Sequence, residues 1–149
     1  MSTTLTIPEG YGYVLLTTTS TCFFAYWHGV WSSTYRRSAK VPYPNCYATV
    51  EQAQASPTAH AFNCAQRAHA NYIENQSSVI LATLVAGLKY PTGASVMGLG
   101  WLLGRFIYAL GYARSPKDSN GKGRMAGVWY QVFQLGLFGM AAKAAWELI

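Results

Sequence analysis

The run FNCAQRAHANYIEN, from Phe62 to Asn75, carries Arg67, His69, Asn71 and Glu74 within what otherwise reads as the opening of a long apolar helix. At about 100° per residue, Arg67, Asn71, Glu74 and Ser78 follow i, i+4, i+7, i+11 and share one face. Tyr72, Ile73, Val79 and Ile80 point elsewhere, so the polarity forms a stripe. A matching face stands in RFIYALGY, where Arg105, Tyr108 and Tyr112 fall at i, i+3, i+7. Such a surface is strongly cationic, holds one acid and offers two phenol hydroxyls. A ligand with several carboxylates and one ammonium suits it, because a guanidinium grips a carboxylate with a bidentate fork. Two plainer readings stand beside that one. Arg67 and Glu74, two turns apart, can pair with each other for packing alone, and the tyrosines can belong to an aromatic belt at a membrane edge.

The elements that position these residues follow from composition. The chain has 149 residues, the size of one domain with a single core. It is 51% hydrophobic and 15% aromatic, and its 11% charged residues compare with roughly 25% in soluble domains. The net charge of +6 raises nucleic-acid binding in a soluble protein, but the charges gather between apolar segments, so no nucleic-acid partner is expected. Between Glu9 and Arg36 no residue carries a formal charge. Roughly 20 largely apolar residues suffice to cross a bilayer. Four spans are expected, over residues 10–34, 59–88, 92–113 and 125–148, giving an all-α integral membrane four-helix bundle as a single domain over residues 1–149. The second span is closed by Lys89, Tyr90 and Pro91. The last is apolar apart from Lys143 and Glu147. The mean hydropathy of +0.10 is low for such a protein.

Loop charge supports this arrangement, since short cytoplasmic loops collect Lys and Arg. The first connection holds Arg36, Arg37 and Lys40, the third Arg114, Lys117, Lys122 and Arg124, and the second only Lys89. Four spans place the first and third connections on one side, here the cytosolic one, with both termini opposite. MSTTLTIPEG has no basic n-region and no small-residue cleavage site, which favours a retained first span over a signal peptide.

FNCAQRAHANYIE, RFIYALGYAR and YRRSAKVPYP together resemble the MAPEG family, membrane-associated proteins in eicosanoid and glutathione metabolism, and within it the microsomal glutathione S-transferase type 3 branch. The resemblance runs from Tyr11 onward. It implies a homotrimer with glutathione between neighbouring subunits near the cytosolic face, and a second substrate that is a lipophilic electrophile or lipid hydroperoxide arriving from membrane lipid. Endoplasmic reticulum is the implied membrane, with the mitochondrial outer membrane second. Carried over residue by residue, glutathione contacts fall on Arg36, Arg67, His69, Asn71, Glu74, Tyr108 and Tyr112. His69 stands where leukotriene C4 synthases have glutamine, as in type 3 proteins, and Asn75 replaces a tyrosine of those synthases. The family's thiolate-stabilising arginine matches Arg124 in the longer loop SPKDSNGKGRMAG, with Arg37 as second choice.

The chemistry fits these residue types. A free thiol with a pKa of about 8.5 is only slightly ionised at neutral pH. Lowering that value by two units takes about 2.7 kcal/mol of preference for the anion, within reach of one arginine at a partly dry site.

Cys22, Cys46 and Cys64 lack metal-ligand spacing, and His28, expected near the end of the first helix, forms no ligand cluster with His69, so no metal is expected. Gly100 and Gly104 read as close helix packing, and GKG lacks P-loop spacing. Two classes of function remain open. One is a glutathione transferase and peroxidase; the other is a non-catalytic membrane scaffold or lipid-presenting protein. A small transporter is disfavoured because the charges cluster at one end and no broken-helix pair is seen.

Overall fold

A computed structural model describes residues 6–148 of the chain; the start of the N-terminal segment discussed above, residues 1–5, lies outside them, as does Ile149. The described residues are helical and contain no strand. Four long α-helices, α1 (Tyr11–Ala39), α3 (Pro57–Gly87), α4 (Pro91–Ala113) and α5 (Tyr130–Trp146), pack on one another, with α3 touching the other three. A short α2 (Val50–Ala55) and two 3-10 turns, Lys117–Ser119 and Lys122–Gly127, occupy the longer connections.

Local sequence explains most boundaries. Thr49 starts α2 with a reciprocal capping box to Gln52. The Glu51 carboxyl in its first turn is held below the usual carboxylate range by its own backbone N–H and by the Thr49 side chain. Ser56 caps α3 and Pro57 opens it. Pro91 opens α4 after only Leu88, Lys89 and Tyr90, and so short a turn leaves α3 and α4 as neighbours.

Two expected boundaries move, and the first connection gains a helix. The first helix runs on to Ala39, so Arg36 and Arg37 lie in its last turn, where cations oppose the negative end of the helix dipole, and left-handed Lys40 closes it. The first connection contains α2. The last helix begins at Tyr130 and not at 125, because the 3-10 turn Lys122–Gly127 presses its glycines against α4: a Cβ on Gly127 would strike the Tyr108 and Gly104 backbone, and one on Gly123 would strike Gly111.

Small residues let the helices approach. Gly100 faces Phe133 and Gly104 faces Tyr130, both on α5, so this pair does serve helix packing. Between α1, α3 and α4 lies an aromatic core with Trp101 and Tyr72 fully buried and Phe24 against Tyr72. The Tyr72 hydroxyl donates to the Thr21 carbonyl at 2.7 Å.

One described helix, Pro91–Ala113, is long and apolar enough to cross a membrane by length and composition, at a mean hydropathy of 1.3. Hydroxyl residues depress the hydropathy of α1, yet many of those groups are spent within it: Thr18 donates to Val14, Ser20 to Leu16, Thr21 to Thr18 and Ser33 to Gly29. A hydroxyl bonded to the preceding turn exposes little unmet polarity. The outward residues beside them, Leu16, Phe23, Tyr26 and Val30, are large and apolar.

Candidate functional site

The stripe on α3 is an organised cluster. Arg67 Nη1 and Nη2 donate to the Glu74 carboxylate at 2.8 and 3.3 Å, and Asn71 Nδ2 donates to the same group at 3.4 Å. Both ends of the ion pair stay about half exposed, at 47% and 52%, which leaves each able to exchange its partner for a ligand. From α4, Arg105 Nη1 donates to Asn71 Oδ1 at 2.8 Å. Arg105 cannot accept, so this bond orients the amide: Oδ1 toward α4, Nδ2 toward Glu74.

Arg105 is 1% exposed. Its guanidinium lies 4.4 Å from the Tyr130 ring centroid, 5.0 Å from Tyr108 and 5.6 Å from Tyr72, with Trp101 beyond. Nε and Nη2 have no hydrogen-bond partner, so the ring faces supply the rest of its stabilisation. The sequence pattern put Arg105 on the same helical face as the tyrosines; tertiary packing makes it the link between α3 and α4.

The cluster continues to the loop before α5. Tyr108, buried, meets Tyr112 edge to face at 5.7 Å, and the Arg124 guanidinium sits 5.2 Å from the Tyr112 ring. Arg124 Nη1 donates to the Asn120 and Gly121 carbonyls, each at 2.9 Å. Asn120 and Gly121 both take left-handed φ, 50° and 69°, which turns their carbonyls toward that guanidinium. Gly121 lies flat on Tyr112, where a Cβ would collide with the ring. The fork of Arg124 is thus held at one nitrogen, with the others available to an anion. Arg67, Glu74 and Asn71 are thus linked through buried Arg105 and Tyr108 to Tyr112 and Arg124 as one chain of contacts.

Arg36 and His69 stand apart from it. Arg36 is clamped between Tyr43 and Phe62, at 4.5 and 4.8 Å, and donates to the Asn45 and Cys46 carbonyls at 2.5 and 3.5 Å, bracing the loop before α2. His69 points to α1 beside Gly29. The two share a separate groove of about 500 Å³ between α1 and α3 with Gln66, Ser33 and Tyr43. Arg37 is exposed at the end of α1. Lys117 Nζ donates to the Gln54 carbonyl, joining the two basic connections at one end of the molecule. His28 is in the interior of α1, not near its end, with its ring 5.3 Å from His69 and 5.7 Å from Tyr72. It is buried against the rings of α3. Among the described residues no group of three His, Cys, Asp or Glu is gathered to hold a metal ion.

Sequence reading missed an amide chain at the floor of the cluster. Trp101 Nε1 donates to Gln134 Oε1 at 3.1 Å, Gln134 Nε2 to Asn75 Oδ1 at 3.0 Å, and Asn75 Nδ2 to the Asn71 carbonyl at 2.8 Å. The available signal was a pair of amides, Gln131 and Gln134, in a segment otherwise apolar up to Lys143.

The cluster, basic, aromatic and singly acidic, is thus built on two long helices and a glycine-rich loop. The MAPEG family model matches residues 14–146, spanning every one of these elements, and the chain belongs to the MAPEG family.

Proposed function

We propose that this chain is a membrane-bound glutathione transferase with glutathione peroxidase activity, of the microsomal glutathione S-transferase type, acting on lipophilic electrophiles or lipid hydroperoxides. Family membership itself carries membrane integration and a glutathione-related transferase or isomerase type of activity in general. The observation that carries the finer reading is the chain of contacts from Arg67 and Glu74 through Asn71, Arg105 and Tyr108 to Tyr112 and Arg124. Glutathione has two carboxylates, one ammonium and a thiol. Arg67 takes a carboxylate, Glu74 the ammonium, and Asn71 and the tyrosines the amides, while the free nitrogens of Arg124 face the sulfur. A thiolate made stable at neutral pH forms a thioether with an electrophilic carbon, expelling its leaving group or adding across its activated double bond, or attacks the terminal oxygen of a hydroperoxide; there the O–O bond breaks, the alkoxide takes a proton and leaves as alcohol, and a second glutathione converts the resulting sulfenic acid to glutathione disulfide and water.

The four long helices are read as four spans of an endoplasmic-reticulum protein, with both basic connections on the cytosolic side. The division of the candidate residues supports a homotrimer. Arg36 and His69 face one side of the chain and Arg67, Asn71 and Arg124 another, at the same end. Head-to-tail association around a threefold axis brings unlike faces together, so each glutathione is held by one copy's α3–α4 surface and its neighbour's α1–α3 groove.

The test is a titration of glutathione into protein purified in detergent, following thiolate ultraviolet absorbance together with conjugation and hydroperoxide consumption. Saturable binding, a thiolate signal and turnover of at least one substrate class are expected. Binding with neither thiolate nor turnover refutes the enzyme and leaves the scaffold reading.

A further inference from the structure

Where the two basic connections meet, α2, the first turns of α3 and the 3-10 turn Lys117–Ser119 enclose a hollow of about 530 Å³. Gln54, His60, Asn63, Lys117, Asp118 and Asn120 line it. Its walls are fixed from two sides. Asn63 accepts from the Ala48 N–H at 2.8 Å and donates to the Ala48 carbonyl at 3.0 Å, which holds the approach to α2 against α3. Lys117 Nζ clasps the Gln54 carbonyl from the other connection.

Both signs of charge meet here. Among the described residues the ion pairs are Arg67–Glu74 and Lys143–Glu147, so the Asp118 carboxylate is free. The Lys117 ammonium has two of its three N–H groups left. A carboxylate and an ammonium side by side suit a zwitterion and not a lipid tail. The hollow also runs into the glutathione cluster along both walls. His60, Arg67 and Asn71 fall at i, i+7, i+11 on α3 and share one face, with about 10 Å of helix axis between the first two. On the opposite wall Asn120, whose carbonyl accepts from Arg124 Nη1 at 2.9 Å, borders the hollow itself. A tripeptide spans about 10 Å when extended, so one anchored in the hollow reaches toward Arg124.

We infer that this hollow binds a second glutathione, the one that reduces the glutathione sulfenic acid left by hydroperoxide cleavage, with Asp118 on its ammonium and Lys117 on a carboxylate. The inference rests on the enzyme reading above and deepens its peroxidase half. The sulfur of the second thiol attacks the sulfenyl sulfur. The S–S bond forms as the S–O bond breaks, and the departing hydroxide takes the second thiol's proton and leaves as water. One hydroperoxide and two glutathiones thus become one alcohol, one disulfide and one water. Conjugation consumes a single glutathione and does not need the hollow. Exposed charge pairs are weak, so the second molecule binds more loosely than the first.

Two measurements on the intact protein in one detergent test it. Equilibrium dialysis of radiolabelled glutathione should find two classes of site per chain. Asp118→Lys, a charge reversal at an exposed position, should lose the weaker class and keep the tighter within about twofold, and Arg67→Ala should do the reverse. In turnover, Asp118→Lys should raise the glutathione concentration for half-maximal reduction of cumene hydroperoxide by about tenfold, the worth of one charged hydrogen bond. It should also increase the sulfenic acid captured by dimedone, while conjugation of chlorodinitrobenzene keeps its glutathione dependence, a split that general loss of packing does not produce. Ala53→Trp fills the hollow without touching its charges and should reproduce the pattern, which guards against a local effect of the new lysine. A single class of site in the wild type, a weaker class that survives both substitutions in the hollow, or peroxidase and conjugation falling in step in both, overturns the second site. Two classes of site with turnover of neither substrate overturn the enzyme reading, and the reductant role with it.

Discussion

Replacing Arg124 with alanine should separate binding of glutathione from its activation. Arg124 is half-buried, tethered through Nη1 to two loop carbonyls at 2.9 Å, and has its remaining nitrogens free. At about 4 Å and an effective dielectric of about 20, a unit charge pair is worth about 4 kcal/mol. Partial exposure trims that toward the 2.7 kcal/mol, approximately, that lowers a thiol pKa by two units. Arg124→Ala should therefore cut kcat/KM at neutral pH by about 10². Glutathione affinity, which the proposed site assigns to Arg67, Asn71 and Glu74 on another element, should change only a few-fold. The thiolate absorbance should vanish at pH 7 and return as pH rises through the free thiol's value of about 8.5, carrying the rate with it. The sign follows from the anion being the species stabilised: the wild type holds the thiolate below that pH, and the variant does not. Arg124→Lys keeps the charge without the fork and should fall between the two. Normal turnover in Arg124→Ala, with loss in Arg37→Ala, refutes the assignment and moves the role to the exposed arginine at the end of α1.

Arg67→Ala should weaken glutathione binding by at least about tenfold, read by equilibrium titration of correctly assembled protein, because a carboxylate loses its bidentate partner; unchanged affinity returns the Arg67–Glu74 pair to a packing role. Co-expressed chains carrying Arg36→Ala and Arg124→Ala, each impaired alone, should regain activity in mixed oligomers isolated through two affinity tags, and no recovery in such oligomers refutes a site shared between copies. Gly111→Ala places a methyl group on the Gly123 backbone and should lower stability by about 1–3 kcal/mol, measured as a fall in Tm, with a matching loss of thiolate signal as the Arg124 loop shifts. In a background without Cys22, Cys46 and Cys64, a cysteine at Ser119 should be labelled from the cytosolic side and one at Glu9 should not; the reverse pattern refutes the orientation and the cytosolic glutathione site with it.

Helical periodicity alone determined the face formed by Arg67, Asn71 and Glu74, and that formed by Arg105, Tyr108 and Tyr112, because residues three and four apart on a helix must lie together whatever surrounds them. The break between α3 and α4 was likewise legible to within a residue or two, because Lys89, Tyr90 and Pro91 cannot continue the helix; the expected spans 59–88 and 92–113 fall at Pro57–Gly87 and Pro91–Ala113. Only the tertiary structure decided how those faces meet. The bond from Arg105 to Asn71 joins residues 34 apart, and the relay from Trp101 through Gln134 to Asn75 draws on three helices; no local rule of spacing encodes either. The start of α5 at Tyr130 belongs to the same class. The segment Lys122–Gly127 has no residue that forbids an α-helix outright, and close backbone approach to α4 makes it a 3-10 turn. His69, which the resemblance grouped with Arg67, falls on a different side of α3 because at 100° per residue two positions along a helix is more than half a turn; that separation was legible in the sequence, while only the packing of α1 on α3 decided that Arg36 shares a groove with His69.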